Sequence, residues 1–333
     1  MTKQLVRPVS GKRVWKRAEV EQSKVWQLQV PRHVCDELAR TVTDAWRRGL
    51  TSASNELASY SIESLHLLLE PARNELADGV GFFLLRGLPI GVLSPDEMKM
   101  MLLIIGHHLG LVTPQTGDRP EIGEVMDAGA AGKKLFYYNR GGALPMHMDP
   151  VDVVGLLCVR KAKLGGESSI CSSMAVHNAI LRSRPELLDI LYRGYRHHRR
   201  HHAADRDRKL LTDYYCPVFC RLEHETVCSF IPHVIEGAVE EGLLEFTPLE
   251  AEALEFFKAT AHRPDIRLHM DLEPGDLQLL NNRAILHSRL DFEDYAEPER
   301  RRLMLRLWLT MPQWQKLPPT IPHKDVELQS SPA

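Results

Sequence analysis

The stretch from Arg302 to Leu309 constrains the fold most, because leucine occupies every second position in it. Such alternation is typical of a β-strand, whose successive side chains point to opposite faces. The four leucines form one face, which must be buried in a core. Arg302, Met304, Arg306 and Trp308 form the other face. Two arginines with a methionine between them indicate a cavity wall, with two surface arginines on an edge strand as the alternative.

The rest of the chain predicts short strands with helices around them. An apolar run at Val151–Val159 is typical of a buried strand, and alternation over 266–272 precedes a Pro-Gly turn into Leu277–Leu280. The first ~90 residues have helical periodicity. Capping patterns predict further helix starts at Ser94, Ser183 and Thr247. We therefore expect one mainly β, α+β domain, built as a β-sandwich or jelly roll with helical additions.

Charge and composition exclude several classes of protein. Lys and Arg number 42 against 44 for Asp and Glu, a balance that argues against binding to nucleic acids or membrane surfaces. The six cysteines are too sparse for a disulfide framework, and no apolar run has the length of a signal peptide or a membrane span. We expect a cytoplasmic protein with reduced thiols and a possible homodimer. The Pro-rich tail after Met311 is expected to be extended over the surface or disordered.

Three His-x-Asp triplets occur in the chain, a pattern that 16 histidines and 44 acidic residues also produce by chance. The pattern matters because residues i and i+2 of a strand share a face and can present an imidazole and a carboxylate to one metal ion. His269 lies opposite the apolar face of its strand, and His323 lies in the Pro-rich tail. His147 and Asp149 instead precede the buried run at 151–159, so they are the favoured ligand pair.

A third ligand must come from a distant strand, and His287 follows the predicted strand at 277–280. A lone histidine at such a position is more often a core residue satisfied by one hydrogen bond, so both interpretations stay open. Two imidazoles and one carboxylate on one face of a metal, with other positions open, are typical of non-haem Fe(II) oxygenases.

With these features the sequence resembles the taurine dioxygenase/TfdA-like family of Fe(II)- and 2-oxoglutarate-dependent oxygenases, over about residues 80–310. The resemblance rests on short motifs in a fixed order: the segment 81–87, His147-Met148-Asp149, Gly165-Gly166-Glu167-Ser168, Pro274-Gly275-Asp276, Asn281-Asn282 with His287, and Arg302 with Arg306. It implies a double-stranded β-helix (jelly-roll) core with helical N-terminal and inserted segments, in a single domain over 1–333 with an extended tail at 312–333.

The resemblance also implies the cofactors. His147, Asp149 and His287 would bind Fe(II), and Arg302 would bind the distal carboxylate of 2-oxoglutarate. Ser168 stands where many members have a threonine that bonds the same carboxylate. The implied reaction consumes O₂ and 2-oxoglutarate and releases succinate and CO₂.

The implied substrate is a small, carboxylate-bearing metabolite, such as an amino acid or secondary metabolite. Arg306 matches a position that meets an anionic substrate group in several members. Asn139 precedes the ligand pair and is a further candidate for substrate contact. Because Asp149 retains the carboxylate that halogenating relatives lack, hydroxylation is the first expectation, while desaturation or ring closure would use the same residues.

Two other histidine-bearing segments invite different functions. Cys216, Cys220, His224 and Cys228 recur every four residues, which suggests a zinc module, although a β-hairpin with free thiols fits the intervening residues better. The cluster His197–His202 is expected to be a solvated loop, with a positively charged substrate lid as the alternative. A cupin-type metalloenzyme that does not use 2-oxoglutarate and a non-catalytic jelly-roll binding protein also stay open.

Overall fold

Two β-sheets of unequal size enclose the interior of the molecule. The computed structural model describes residues 6–115, 122–127, 141–199 and 210–324. In chain order its strands are β1 (Gln27–Gln29), β2 (Phe82–Arg86), β3 (Leu111–Val112), β4 (Ile122–Val125), β5 (Leu144–His147), β6 (Val153–Arg160), β7 (Leu164–Gly165), β8 (Ser168–Ser172), β9 (Phe219–Arg221), β10 (Thr226–Cys228), β11 (Leu268–Met270), β12 (Leu277–Asn281), β13 (Ile285–Arg289), β14 (Phe292–Glu293) and β15 (Leu303–Thr310).

The major sheet has the strand order β1-β2-β12-β6-β15-β3, with β4 also pairing with β15. The minor sheet has the order β11-β8-β13-β5. Neighbours along each sheet are distant in the sequence, and apart from the parallel pair β1–β2 they run antiparallel. This topology confirms the expected jelly-roll core.

Helices cover the outer faces of both sheets. In chain order they are α1 (Arg17–Ser23), α2 (Arg32–Arg47), α3 (Glu63–Leu68), α4 (Glu70–Ala77), α5 (Pro95–Leu109), α6 (Ser173–Ser183), α7 (Glu186–Arg193), α8 (Pro232–Glu240) and α9 (Pro248–Ala261). The first five lie before most of the core strands, and the last four lie between β8 and β11. Helical N-terminal and inserted segments are therefore confirmed, whereas the extent of the single domain stays a prediction.

Strand alternation sorts the side chains of β15 between two layers. Leu305, Leu307 and Leu309 pack with apolar side chains of α2–α5, so the leucine face belongs to a core between helices and sheet. Each buried leucine contributes roughly 1.5–3 kcal/mol. Met304 and Trp308 point the other way and pack with residues of the minor sheet. The face that carries the arginines therefore lines the space between the sheets.

Two of the three predicted helix caps form. The Ser94 hydroxyl accepts from the Glu97 amide while the Glu97 carboxylate accepts from the Ser94 amide, and Thr247 and Glu250 form the same reciprocal pair. The cap predicted at Ser183 was wrong. Helix α6 continues through Ser183, whose hydroxyl donates to the Ala179 carbonyl one turn back, and α7 begins only after Pro185.

As far as Lys324 the Pro-rich tail is irregular and mostly exposed or half-buried, as an extended surface segment would be. The segment has no helix or strand after β15, but Ile321 is buried and Trp314 packs against the core between helices and sheet. His323 pairs with the buried Asp152. These apolar anchors explain why a Pro-rich stretch is held in place. Within the described ranges, no helix is long and apolar enough to span a membrane.

Candidate active site

Two neighbouring strands of the minor sheet bring the predicted ligands together. His147 ends β5 and lies directly opposite His287 of β13 in the antiparallel register, with ring centroids 4.2 Å apart. Asp149 follows two residues later, where the strand has ended. Each of the three side chains offers one ligand atom, and these atoms lie within 4.8 Å of one another. Among the described residues, no other group of three His, Cys, Asp or Glu side chains has this geometry.

The protonation states suit a metal ion. Burial, followed by the neighbouring His147, lowers the pKa of His287 to about 3, and burial also lowers the pKa of His147. Both imidazoles are therefore neutral near pH 7, as metal ligation requires. The Nδ1–H of His147 donates to the Pro145 carbonyl at 2.9 Å, which fixes the tautomer and leaves Nε2 for a ligand. The Nδ1 atom of His287 is buried and has no hydrogen-bond partner within the described ranges.

Asp149 is held by contacts from both sheets. Its Oδ2 accepts from the Trp308 indole at 2.9 Å, and its Oδ1 lies 3.5 Å from the Arg306 guanidinium. Its backbone amide donates to the Asn282 side chain. Burial would raise the pKa of Asp149, but the charge of Arg306 and the two imidazoles outweigh it and lower this pKa. The carboxylate is thus ionised and oriented towards the imidazoles.

A cavity opens beside the three ligands and reaches Arg302. The Arg302 side chain enters from β15, where only 8% of the residue is exposed. Its Nη1 atom is buried without a hydrogen-bond partner in the described parts of the chain. Burial, followed by the charge of Arg289, lowers the pKa of Arg302 to about 10, so the guanidinium is still charged at neutral pH. A buried, charged N–H group that lacks a hydrogen-bond acceptor favours the binding of an anion.

Gly166 explains how Arg302 reaches this position. Gly166 adopts a φ of +78°, and a side chain there would place its Cβ 3.2 Å from Nε of Arg302. Glycine adopts this backbone conformation without steric cost and leaves room for the guanidinium. The Gly-Gly pair of the sequence motif is therefore part of the wall that holds the arginine.

Ser168 lines the same cavity as Arg302. Its hydroxyl donates to the Gln278 side chain at 2.9 Å, and both residues are buried between the sheets. The structure thus brings Ser168 into the wall of this cavity, with Gln278 as a partner that the sequence did not reveal.

Arg306 lies four residues further along β15 and has its own partners. Its Nε donates to the Gln115 side-chain oxygen at 2.9 Å, and the Gln115 amide donates back to the Arg306 carbonyl at 2.6 Å. The guanidinium also lies 4.8 Å from the Trp308 ring centroid. Arg306 is thus oriented on one side by Gln115 and on the other by Asp149.

The whole arrangement matches a known family. The family model "Taurine catabolism dioxygenase TauD, TfdA family" matches residues 47–308. The chain belongs to this family. The recognition from the sequence is confirmed, the chain is a dioxygenase, and Fe(II) and 2-oxoglutarate are the cofactors that the family and the donor set imply. The cupin-type and non-catalytic alternatives are not supported by this assignment.

Individual relatives of the dioxygenase agree with the assignment. FR-33289 synthase of Streptomyces rubellomurinus is 28% identical over 96% of this chain and 96% of its own. Uridine-5'-phosphate dioxygenase of a Streptomyces species is 26% identical over 70% of this chain and 86% of its own. Asparagine oxygenase, solved with Fe(II), 3-hydroxyasparagine and succinate, has a TM-score of 0.68 at 15% identity, with 86% of this chain and 93% of that chain covered.

The dioxygenase site contains residues that sequence reasoning missed. Arg289 lines the cavity two residues after His287 on the same face of β13, and it donates to the Gly142 carbonyl. The i+2 rule that selected Asp149 would have found it. Gln115 and Trp308 contact Arg306 and Asp149, but no local pattern indicated these pairings across long sequence separations.

Other candidate residues lie elsewhere or outside the description. Asn139 lies outside the described residues. His269 is exposed on β11, as predicted, while Leu268 and Met270 are buried. The predicted hairpin is confirmed as β9 and β10, with an exposed His224 at its turn. The expected solvated loop was wrong for His197, which is 5% exposed and whose pKa burial lowers to about 3.

Proposed function

We propose that this dioxygenase binds Fe(II) through His147, Asp149 and His287, binds 2-oxoglutarate with its distal carboxylate on Arg302, and hydroxylates a small anionic metabolite. One observation carries the proposal: Arg302, whose buried Nη1 has no hydrogen-bond partner among the described residues, lines the same cavity as the three ligand side chains. A dicarboxylate that chelates the metal at one end needs such a cation at its other end.

Arg302, which immediately precedes β15, and Arg306, which lies within it, divide the cavity into a cofactor end and a substrate end. Arg302 and Arg306 share a strand face and are separated by about 13 Å along the strand, at ~3.3 Å per residue. Arg302 lines the cavity together with Ser168, while Arg306 is next to Asp149. We assign the first end to 2-oxoglutarate, with the Ser168 hydroxyl turning from Gln278 to donate to its carboxylate, and the second to the substrate.

The bound Fe(II) and 2-oxoglutarate supply the activation of O₂, coupled to the loss of CO₂ and the formation of succinate. The protein residues position these partners. The imidazoles and Asp149 hold three ligand positions on one face, and Trp308 keeps the Asp149 carboxylate oriented. The apolar side chains of Leu144, Leu156 and Met304 line the cavity and exclude water from it.

The names of the relatives support an anionic substrate for Arg306. Asparagine and uridine 5'-phosphate both carry an anionic group, a carboxylate in one and a phosphate in the other. An arginine that is fixed by Gln115 presents a planar pair of donors to either group. We propose an amino acid or a similar carboxylate-bearing metabolite as the first class to test, with Asn139 as a further substrate contact.

The location and assembly of the enzyme are part of the same proposal. All six cysteines lie in the described ranges and are free, which favours a reducing compartment such as the cytoplasm. A homodimer is compatible with the charge balance and is tested by measuring the mass in solution.

Anaerobic titration tests the cofactors. The metal-free protein receives Fe(II) and then 2-oxoglutarate, and the visible charge-transfer band of the chelate is recorded. We expect the band in the wild type and none in His287→Ala, with His269→Ala as a matched control that keeps the band because His269 is exposed. Absence of the band in the wild type, despite bound iron, would contradict the proposal.

The substrate class is tested by turnover. Amino acids, taurine and uridine 5'-phosphate, with uridine as an uncharged counterpart, are screened for those that increase the formation of succinate from 2-oxoglutarate. We expect the best compound to carry a carboxylate and to appear as a product heavier by one oxygen atom. Stimulation by uncharged compounds alone would overturn the anionic assignment.

A further inference from the structure

The C-terminal segment from 312 to 324, here called the strap, contacts the loop that carries the Asp149 ligand. The Lys324 amide donates to the Pro150 carbonyl, next to Asp149, at 2.8 Å. The Thr310 hydroxyl donates to the Lys324 carbonyl, which ties the end of the strap to the end of β15. The strap lies beyond residue 308, where the family match ends.

The strongest strap contact is with Asp152, whose side chain is 2% exposed. Arg283 reaches this carboxylate through Nε at 2.8 Å and Nη2 at 2.6 Å. The Met311 amide donates to the other oxygen. His323 of the strap donates from Nε2 to Oδ1 at 2.9 Å, and its own side chain is 8% exposed. Asp152 thus lies at the centre of a buried polar cluster that the strap completes.

Arg283 is also covered by the strap. Its guanidinium lies 5.3 Å from the Trp314 ring centroid, and Nη1 donates to the Gln315 carbonyl. A buried charge pair is stable only when its remaining hydrogen-bonding positions are satisfied. The strap therefore contributes to both members of the pair, Asp152 and Arg283.

The Asp152 cluster is joined to the ligand loop by short backbone links. The Asn282 amide donates to the Asp152 carbonyl, and the Asn282 side chain accepts from the Asp149 amide. The Val151 amide donates back to the Asp149 carbonyl. The segment 149–152 is thus held at its amides, its carbonyls and the buried Asp152 carboxylate, and movement of Asp152 would turn the Asp149 side chain.

We propose that the strap is a positioning element of the metal site, in which His323 fixes Asp152 and thereby the orientation of Asp149. The inference rests on the proposed function, because it requires Asp149 to be a metal ligand. Side chains that orient a metal ligand through another residue typically change metal affinity 10- to 100-fold when removed. His323 acts through two links, so we expect an effect of about tenfold, at the lower end of that range.

Three variants test the strap. His323→Leu removes the donor, and His323→Gln keeps a donor at the position of Nε2. Lys316→Gln is the matched control, because Lys316 lies on the same strap and is exposed. For each protein, the Fe(II) dissociation constant is measured anaerobically, amide hydrogen exchange of the peptide covering 147–152 is measured without metal, and the melting temperature is recorded.

We expect His323→Leu to bind Fe(II) about tenfold more weakly and to exchange faster at 149–152 than elsewhere, with His323→Gln and Lys316→Gln close to the wild type. Unchanged Fe(II) affinity in His323→Leu, or exchange that rises uniformly with a lowered melting temperature, would overturn the strap's role. Failure of the wild type itself to bind Fe(II) would instead overturn the proposed function.

Discussion

The arginines at the two ends of the cavity differ in the protein partners that their guanidinium groups already have. Arg302 and Arg306 come from the same face of β15 and are equally buried, at 8% and 6% exposure. Nη1 of Arg302 has no partner among the residues that the structure describes, whereas Arg306 is bound to Gln115 and paired with Asp149. The two arginines are therefore similarly buried, but Arg302 has a donor available for an anion and Arg306 is already bound.

The difference follows from what surrounds each guanidinium. Arg302 lies against a glycine and next to a second cation, Arg289, so an incoming carboxylate replaces no protein partner and relieves repulsion. Arg306 already has an anionic neighbour in Asp149, so a substrate anion must compete with it or share the guanidinium. On the proposed assignment, the first end is preorganised for the carboxylate of an obligatory cofactor. The second can couple the arrival of substrate to the state of the metal ligand.

Removing Asp149 from the proposed metal site, on which both ends of the cavity depend, is expected to have the largest effect. Asp149→Ala should lower Fe(II)-dependent turnover by at least about 10³-fold, because every metal-dependent step needs the third ligand. Asp271→Ala is the matched control, since Asp271 has the same spacing from a histidine but is exposed and pairs with Lys161. Succinate formation measures both, and equal losses in the two variants would refute the assignment of the ligands.

Breaking the Arg306 end should affect the substrate alone. Arg306→Gln removes a charged donor pair, so we expect the KM of the best compound from the turnover screen to rise about 100-fold. The KM for 2-oxoglutarate should stay within about threefold of the wild type. Steady-state kinetics measure both constants, and a larger effect on 2-oxoglutarate than on the substrate would reverse the comparison.

Removing the Gln115 acceptor from Arg306 should have a smaller effect on the KM for the substrate. Gln115→Leu leaves the guanidinium in place but removes the acceptor for Nε, so we expect a KM for substrate about tenfold higher. Gln115→Glu retains an acceptor and serves as the control. A KM in Gln115→Leu that equals the wild-type value would mean that Gln115 does not orient Arg306.

The smallest effect is expected beside Arg302. Ser168→Ala removes one neutral donor near the distal carboxylate, worth about 1 kcal/mol, and should raise the KM for 2-oxoglutarate about fivefold. Ser169→Ala is the matched control, because the hydroxyl of the adjacent Ser169 is also buried but has no partner among the described residues. Similar constants in the two variants would remove Ser168 from the cofactor site.

The comparison also indicates what sequence alone could predict. Period-two alternation placed Arg302 and Arg306 on one inward face and gave His147 and Asp149 a common face, because strand parity is a local property. His287 was indicated only by its position after a predicted strand. The partners of these residues lie far away along the chain: Gln115 and Arg306 are 191 positions apart, and Trp308 and Asp149 are 159 apart. Such pairings depend on sheet order, which local patterns do not specify.

The tail shows what composition leaves out. Proline content predicted an extended surface segment or disorder, and the backbone indeed has no regular structure. Two apolar residues, Trp314 and Ile321, nevertheless anchor it, and His323 reaches a buried carboxylate. Composition describes the backbone preference of a segment but not its few long-range contacts.

The most direct test is to measure anaerobic binding of 2-oxoglutarate to the Fe(II)-loaded wild type, Arg302→Gln and Arg306→Gln. The charge-transfer band monitors the binding. The account predicts that the dissociation constant rises at least about 100-fold in Arg302→Gln, because a buried charge-assisted pair is lost. It predicts a change within about threefold in Arg306→Gln. Equal weakening in both variants, or none in Arg302→Gln, would contradict the division of the cavity into a cofactor end and a substrate end.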